Sequence, residues 1–503
     1  MAYRFKSFLI KNRLYFLFQG LTLVLFVHFT IFKEAGLNDG DSITHYLISK
    51  YAWQYPHLFL DNWGKPFFIL LSSPFAQFGY TGIQIFNIGC GILSSWFCYK
   101  IASKLEIEFA YLAPVFLFMT PVYFNALPSG LTEILFGLVL IGSICLLAYN
   151  KPIWAAILIS FLPFCRSEGI LILPVIGLFL LLNKRFLAIP FLITGYLLYS
   201  IIGYFYLNDF LWTIHSNPYH SGDLYGHGTL WHFVESYIPI FGNLPGILFV
   251  IATIYYAISG FLYFKNKKPI SSNFKFEFLV LWLVVMVYFT AHSIFWYKGL
   301  FASAGLWRVM AAIAPPFSII CIRGMTWGLD LIRNEKWGRF ILSFLIGILN
   351  TIWTFIELIL RKAIWLIIVF IIIYQPIHYF RLPQHLDQSK IAVREACNWV
   401  KENGFQSRKI FYSEPFTKIC LSLDPFDNTK SEELMYVWKG DDFGKDMVKS
   451  SIIIWEPGLG PREDGIPLSK LEDEKRFKLL ITFETPHDKD KKADYIVYIF
   501  EKL

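Results

Sequence analysis

The chain has 503 residues, of which 55% are hydrophobic and 16% charged, with a mean hydropathy of +0.49. Repeated apolar runs of about 20 residues, the length that crosses a bilayer, exclude a soluble protein of ordinary composition. The net charge of +8 comes from Lys and Arg in short clusters between these runs, which indicates membrane topology and not a nucleic-acid interface. Seven scattered cysteines support neither a disulfide framework nor a zinc site.

The first apolar run, near residues 14–33, follows a basic segment that contains Arg4 and Lys11. The positive-inside rule therefore predicts a cytoplasmic N-terminus and places the acidic loop 34–65 on the opposite face. Repetition of such runs predicts a polytopic α-helical membrane protein with about 11–13 spans. The further predicted spans are 80–99, 107–124, 131–149, 186–206, 241–264, 275–297 and 308–330.

Residues 153–182 do not fit a single span, because Pro163, Arg166 and Glu168 interrupt the apolar run. We predict two short helices that meet at a polar elbow on the outer side. Broken helices at membrane depth are tolerated where they line a cavity.

Residues 337–380 determine the side on which the C-terminus lies. If 337–359 and 363–380 both cross, the tail is cytoplasmic. If 337–359 lies along the inner surface, with the basic pair 361–362 inside, only the last helix crosses and the tail is external. Asn350 and Glu357 weaken the first helix as a span, so the sequence favours an external tail.

The composition changes after residue 380, where the chain becomes charged and is punctuated by prolines. We predict a transmembrane catalytic domain at 1–380 and a small α/β extracytoplasmic domain at 381–503, which supports the site or docks an acceptor. The predicted elements of the second domain are an amphipathic helix at 391–403, buried strands at 409–412 and 451–455, and a closing strand pair at 479–484 and 495–501.

The acidic loop after the first span contains Asp39, Asp41 and His45. Ionisable groups at the edge of hydrocarbon are costly, so a cluster there predicts a functional site. Asp41 suits either a helix cap before residues 42–53 or a catalytic base, and position does not decide between Asp39 and Asp41 as that base. Glu133, just inside a later span, is either a cap or a carboxylate that faces the same cavity.

Three cations accompany these carboxylates. Arg308 lies at the outer end of a span, where the positive-inside rule does not place it, and is suited to bidentate contact with a phosphate. Arg166 either binds phosphate or pairs with Glu168 or Glu133. Lys65 either binds phosphate together with these arginines or extends its ammonium group along the span to the membrane interface.

The loop 207–239 is the longest polar insertion, and it combines aromatic side chains with neutral hydrogen-bonding groups. Such a mixture suits sugar recognition by stacking and directional bonds, whereas the alternative is an aromatic belt at the membrane interface. Its histidines lack a rigid helical spacing beside a carboxylate, so we predict neither a metal nor another cofactor. The candidate substrate-binding residues, with His45 and Glu168, are Trp212, His215, Asn217, Tyr219, Tyr225 and His227.

With Gly40-Asp41 after the first span, Thr132-Glu133, Arg166-Ser167-Glu168-Gly169 and the late Arg308, the chain resembles the GT-C superfamily of membrane glycosyltransferases, especially its bacterial mannosyltransferase-like members. The resemblance covers most of the chain. It departs from many members in one respect, since Asp39 and Asp41 are separated by a glycine and are not adjacent.

The resemblance implies transfer of a single hexose such as mannose, with inversion, from a polyprenyl-phosphate donor. The acceptor would be an unidentified glycan, lipid or protein at the non-cytoplasmic face of the bilayer, in a bacterial inner membrane, with no nucleic acid involved. Asp41, Asp39 or Glu133 would serve catalysis, and Arg308, Arg166 and Lys65 would hold the donor phosphate.

Two other classes share parts of this pattern. A polysaccharide ligase would take a diphosphate-linked glycan through a similar cationic groove. A secondary transporter or flippase would also be polytopic with buried charges, but transporters often contain an internal repeat, which this sequence does not display.

Overall fold

The computed structural model describes residues 10, 12–26, 34, 36–219, 225–266, 269, 271–333, 353–379, 386–437, 440, 443–473, 475–484 and 495–503. In this part of the chain, five helices are long and apolar enough to cross a membrane, and six shorter helices are apolar. The larger helices are α1 (Arg13–Phe26), α2 (Gly40–Tyr51), α3 (Pro66–Ala76), α4 (Tyr80–Lys104), α5 (Glu133–Ala148), α6 (Pro152–Phe164), α7 (Ser167–Leu182), α8 (Phe186–Leu207), α9 (Asn243–Lys265), α10 (Ser272–Lys298), α11 (Trp307–Arg333), α12 (Trp353–Tyr379) and α13 (Gln388–Glu402).

The long helices α4, α8, α9, α10 and α11 correspond to predicted spans. The elbow predicted within 153–182 is also present, since α6 and α7 are separated at Arg166, whose backbone is extended. The apolar helix α3 was not predicted, because its 11 residues are fewer than a span requires.

The prediction of one span at 107–124 is wrong. The segment forms three short pieces, Ala110–Leu112, Ala113–Phe118 and Pro121–Ala126. Pro114 and Pro121 each lie in the first turn of a new helix, and proline cannot continue the hydrogen bonding of a preceding helix. These pieces are almost wholly buried, so their apolar character reflects the protein core and not contact with lipid.

The predicted break between the helices 337–359 and 363–380 is also wrong, as far as the structure describes these residues. Helix α12 continues through Arg361 and Lys362 as 27 residues, because both residues favour helix and neither interrupts it. Residues 337–352 and the predicted boundary between the domains at 380 and 381 lie outside the described residues. The side of the membrane that the C-terminus occupies stays a prediction.

Helices α9 and α11 approach each other closely at Gly324. A Cβ atom at Gly324 would lie 2.0 Å from the carbonyl oxygen of Leu248, so only glycine permits this contact. Near the same interface, Arg323 of α11 donates to both carboxylate oxygens of Glu277 at 2.6 and 2.8 Å. Glu277 is 2% exposed and also accepts from Tyr256, so its charge is compensated within the bundle.

The C-terminal sheet contains five strands: β1 (Ile410–Tyr412), β2 (Ser431–Glu433), β3 (Ile452–Trp455), β4 (Phe477–Glu484) and β5 (Ile496–Lys502). Their order is β2-β1-β3-β5-β4. Strand β1 is parallel to β2 and β3, and β5 is antiparallel to β3 and β4. The amphipathic helix and four strands were predicted. Strand β2 was not, because three residues with two glutamates carry no hydrophobic pattern.

The C-terminal part contacts the segment after α1 through several polar groups. The backbone nitrogen of Asp387 donates to Asn38 at 2.9 Å, and Arg394 pairs with Glu34 at 2.8 Å. A Cβ atom at Gly40 would lie 3.6 Å from Pro415, which follows β1. The carboxyl end of β1 therefore lies against the N-terminus of α2.

We expect Arg323→Met to lower the free energy of unfolding by about 3–5 kcal/mol, because it leaves Glu277 charged and buried without its partner. The matched control is Arg333→Met, which removes an exposed ion pair with Glu108 and should cost less than about 1 kcal/mol. Denaturant unfolding of the purified protein in detergent measures both. Equal losses in the two variants would contradict the structural role of the buried pair.

Candidate functional site

Two aspartates lie at the N-terminus of α2. Asp39 is the N-cap, and its side chain accepts from the backbone nitrogen of Ser42 at 3.2 Å. The helix begins at Gly40, so Asp41 lies in the first turn, and the cap that the sequence offered to Asp41 belongs to Asp39. Both side chains lie at the positive end of the helix dipole, where acidic residues stabilise a helix.

Arg308, at the start of α11, binds both aspartates. One guanidinium nitrogen, Nη1, donates to Oδ2 of Asp39 and the other, Nη2, donates to Oδ2 of Asp41. Arg308 is 17% exposed, whereas Asp39 and Asp41 are 32% and 45% exposed. The arginine is thus recessed, and the two carboxylates lie between it and the open side of the site.

A row of alternating charges continues inward from Arg308. Its Nε lies 3.9 Å from Oε1 of Glu133, which is 1% exposed. The same oxygen lies 2.8 Å from Nη1 of Arg166, and Nη2 of Arg166 donates to Glu168 at 2.9 Å. Glu133 therefore lies between two arginines. Such alternation is what permits ionised groups to remain buried.

Lys65 enters the same site from the residue before α3. Its ammonium group donates to the carbonyl of Asn62 at 2.7 Å and to Ser167 at 3.0 Å, and it lies 4.8 Å from the ring centre of Tyr219. The backbone of Lys65 has a φ of 69°, a conformation that L residues rarely adopt and that recurs at functional sites. Burial lowers the pKa of Lys65 to about 8.

His45 lies beside these cations on α2. Its ring stacks on Trp63 with centroids 4.6 Å apart, and its Nδ1 is buried with no hydrogen-bond partner among the described residues. Burial, with the charges of Arg308 and Arg166 next in effect, lowers the pKa of His45 to about 3. The imidazole is therefore neutral at physiological pH.

Two residues of α10 also reach the row of charges, and sequence reasoning missed them. Nε2 of His292 lies 3.6 Å from Oε1 of Glu168, and the rings of His292 and Tyr288 lie 4.5 Å apart. The four-residue spacing places both on one helix face. A histidine within an apolar span was the available signal, but on its own it is weak.

The candidate residues of the external loop do not all enter this cluster. Trp212 is 2% exposed and donates to the carbonyl of Tyr199 at 2.8 Å. His215 is exposed and contacts Asp209, while Asn217 accepts from the backbone nitrogen of Tyr219. These contacts fix the conformation of the loop and its attachment to α8.

Tyr219, Tyr225 and His227 lie further along the same loop. Tyr219 reaches Lys65 through its ring. Burial raises the pKa of Tyr225, and the nearby charges of Glu463 and Asp41 raise it further. His227 precedes Gly228, which packs against Trp296. The structure thus brings Tyr219 beside the charged row.

The site combines three recessed cations with two carboxylates, Asp39 and Asp41, that are more exposed than Arg308. Arg308, Arg166 and Lys65 can stabilise a bound phosphate, and Asp39 or Asp41 can accept a proton from a hydroxyl. In the described residues, no group of three or more His, Cys, Asp or Glu could hold a metal ion. The prediction that no cofactor is used stays a prediction.

No protein-family model and no curated protein matches the chain. Among solved structures, the chain is similar to ArnT from Cupriavidus metallidurans in the apo state, with a TM-score of 0.57 and 12% identity over 96% of this chain and 97% of that one. The same enzyme bound to undecaprenyl phosphate gives a TM-score of 0.54 and 11% identity over the same shares. An oligosaccharyltransferase from Archaeoglobus fulgidus gives 0.46 and 12% identity over 84% and 64%.

The two ArnT comparisons extend over almost the whole of both chains. At 11% and 12% identity, they establish a shared fold. The expected fold class, a polytopic helical protein that carries a small C-terminal α/β part, is thereby confirmed.

We expect Arg166→Met to lower the free energy of unfolding by about 3 kcal/mol, because Glu133 and Glu168 lose their shared partner in a buried place. Adding Glu133→Gln should restore part of the loss, since it removes one uncompensated charge. Arg185→Met is the control. The side chain of Arg185 is exposed and donates a hydrogen bond to Asn150, which carries no charge. Thermal unfolding in detergent measures these effects, and a double variant less stable than Arg166→Met would contradict the compensation.

Proposed function

We propose that the protein is a membrane glycosyltransferase that moves a single hexose, such as mannose, from a polyprenyl-phosphate donor to an acceptor hydroxyl at the non-cytoplasmic face. The observation that carries the proposal is the contact of Arg308 with both Asp39 and Asp41. It joins a phosphate-binding group and two potential bases within one site. The likeness to a protein whose solved structure holds undecaprenyl phosphate supports the choice of donor.

In the proposed reaction, the acceptor oxygen attacks the anomeric carbon of the donor sugar. The new carbon–oxygen bond forms as the bond from that carbon to the phosphate oxygen breaks, with inversion, and polyprenyl phosphate leaves with the bonding electrons. An aspartate at the N-terminus of α2 takes the hydroxyl proton. Arg308, Arg166 and Lys65 stabilise the negative charge that develops on the leaving phosphate.

The arrangement suggests that donor binding prepares the base. Without a ligand, Arg308 donates to one oxygen of each aspartate, so neither aspartate is free to receive a hydroxyl proton at that oxygen. A donor phosphate that takes over part of Arg308 would release one carboxylate toward the acceptor. Glu133 lies between Arg308 and Arg166 in the inner part of the site. It keeps this position when the donor binds.

We expect either Asp39→Asn or Asp41→Asn to lower kcat by about 100-fold to 10,000-fold, the contribution of a general base, with the other substitution having a smaller effect. Donor binding should be retained in both variants. The measurement is transfer of labelled sugar from polyprenyl-phosphate mannose to mixed membrane acceptors by purified protein. Asp330→Asn, at an exposed position near the end of α11, is the control and should transfer normally.

Full turnover in both aspartate variants would contradict the assignment of the base. Absence of turnover with monophosphate donors, combined with transfer from a diphosphate-linked glycan, would indicate a ligase instead. Donor movement across the membrane without any transfer would indicate a flippase.

We expect kcat/KM for the donor to fall as pH rises through about 8. Lys65, whose pKa burial lowers to about 8, is charged below that pH and neutral above it, whereas the phosphodiester of the donor keeps its charge. Loss of one charge–phosphate contact should cost about tenfold. Lys65→Arg should remove the decline because arginine stays charged, and Lys50→Arg should not. A profile unchanged in Lys65→Arg would assign the titration to another group.

A further inference from the structure

The connection between α10 and α11, residues 299–306, has a strained backbone just before Arg308. Phe301 and Ala302 have φ values of 56° and 51°, a left-handed conformation that residues with a side chain rarely adopt. Gly299 and Gly305 are also left-handed, at 60° and 63°, which glycine tolerates. Strain of this kind persists only where surrounding contacts fix the backbone, and it is concentrated at functional sites. The connection therefore depends on contacts from other parts of the chain.

Trp296, near the end of α10, packs against this connection and against the external loop. A Cβ atom at Gly305 would lie 2.7 Å from Cε2 of the indole, so another residue there would displace the ring. A Cβ atom at Gly228 of the external loop would overlap the indole nitrogen. The backbone nitrogen of Gly228 also donates to the carbonyl of Trp296 at 3.3 Å. The indole nitrogen is buried with no hydrogen-bond partner among the described residues, so packing alone holds the ring there.

His232 of the external loop makes a second contact with the connection. Its Nε2 lies 2.8 Å from the carbonyl oxygen of Gly305, and because a carbonyl oxygen only accepts, Nε2 carries the proton and donates. The ring centres of His232 and Trp296 lie 5.7 Å apart. The neighbouring Phe233 is 1% exposed and anchors this part of the loop in the core. Trp296 thus fixes the position of Gly305, and His232 fixes the direction of its carbonyl group.

Helix α10 also contacts the backbone on the other side of Arg308. The hydroxyl of Tyr288 donates to the carbonyl of Val309 at 3.3 Å. Tyr288 and Trp296 are eight positions apart in the sequence, slightly more than two helical turns, so they lie on one side of α10. The backbone is therefore held at Gly305, before Arg308, and at Val309, directly after it.

We propose that His232 and Trp296 are positioning residues that hold Arg308 where its guanidinium meets the donor phosphate. This inference rests on the proposed function for the role of Arg308. In the described part of the chain, both residues reach Arg308 through the backbone of Gly305, three positions before it. Without these contacts, the strained connection would relax toward ordinary backbone conformations, and the guanidinium would leave its place beside the two aspartates of α2.

The test measures equilibrium binding to the full chain in detergent by microscale thermophoresis, with farnesyl phosphate as a short polyprenyl phosphate and farnesol as the probe without phosphate. We expect His232→Ala to weaken binding of farnesyl phosphate about tenfold, close to the effect of losing one hydrogen bond to a charged group. Binding of farnesol should not change. His232→Gln should restore most of the affinity, because its side-chain amide also donates to a carbonyl. His57→Ala, at an exposed position of the loop 34–65, is the control and should bind both probes normally.

Further variants test whether the effect passes through Arg308. In an Arg308→Gln background, which has lost the phosphate contact, adding His232→Ala should weaken binding no further. Trp296→Leu should act like His232→Ala, whereas Tyr297→Leu, at the adjacent position and 45% exposed, should bind both probes normally. Thermal unfolding checks that each variant is folded. If Arg308→Gln does not fold, the recovery of affinity in His232→Gln decides the question.

Three results would overturn the inference. The first is an equal loss of affinity for farnesyl phosphate and farnesol in His232→Ala, which would indicate a general structural role. The second is an unchanged affinity for both probes in that variant. The third is a further tenfold loss when His232→Ala is added to Arg308→Gln, because the histidine would then act independently of the arginine.

The binding assay separates this inference from the proposed function, since it does not depend on sugar transfer. Absence of transfer, combined with phosphate binding that depends on His232, would remove the function and keep the positioning role. Transfer from a polyprenyl-phosphate donor with an unchanged KM for the donor in His232→Ala would keep the function and remove the positioning role. If both are correct, His232→Ala should raise the KM for the donor and leave the KM for the acceptor unchanged.

Discussion

The contact between Arg308 and the two aspartates of α2 is the constraint on which the rest of the site depends. It joins residues 269 and 267 positions apart in sequence, so it fixes the start of α11 against the first loop. A buried arginine is stabilised when negative groups compensate its charge. The N-terminal ends of α2 and α11 are therefore held side by side at the site.

In the inner part of the site, positive and negative side chains also alternate. Glu133 lies between Arg308 and Arg166, and Arg166 lies between Glu133 and Glu168. In a straight helix, side chains two positions apart point to nearly opposite sides, so Arg166 and Glu168 would not both reach this row. The elbow between α6 and α7 supplies both, as expected where irregular backbone lines a cavity.

Much of this could be predicted from the sequence, because charges stand out against apolar surroundings. Asp39, Asp41 and Arg308 were found in that way, although their mutual contact could not be, since one sequence carries no information about distant pairs. His292 was missed because a single histidine in a helix is common in protein cores. The false span at 107–124 has the opposite cause: apolar composition alone cannot separate a helix in lipid from short helices within the core.

The two ends of the charged row differ in exposure, and this difference bears on the order of binding. Lys65 is 4% exposed and Arg308 is 17% exposed, whereas Asp39 and Asp41 are 32% and 45% exposed. Under the proposed function, a donor phosphate that takes over part of Arg308 releases one of these carboxylates toward the acceptor hydroxyl. Before the donor binds, Arg308 holds both aspartates. Binding of donor before acceptor is therefore the order that these contacts favour.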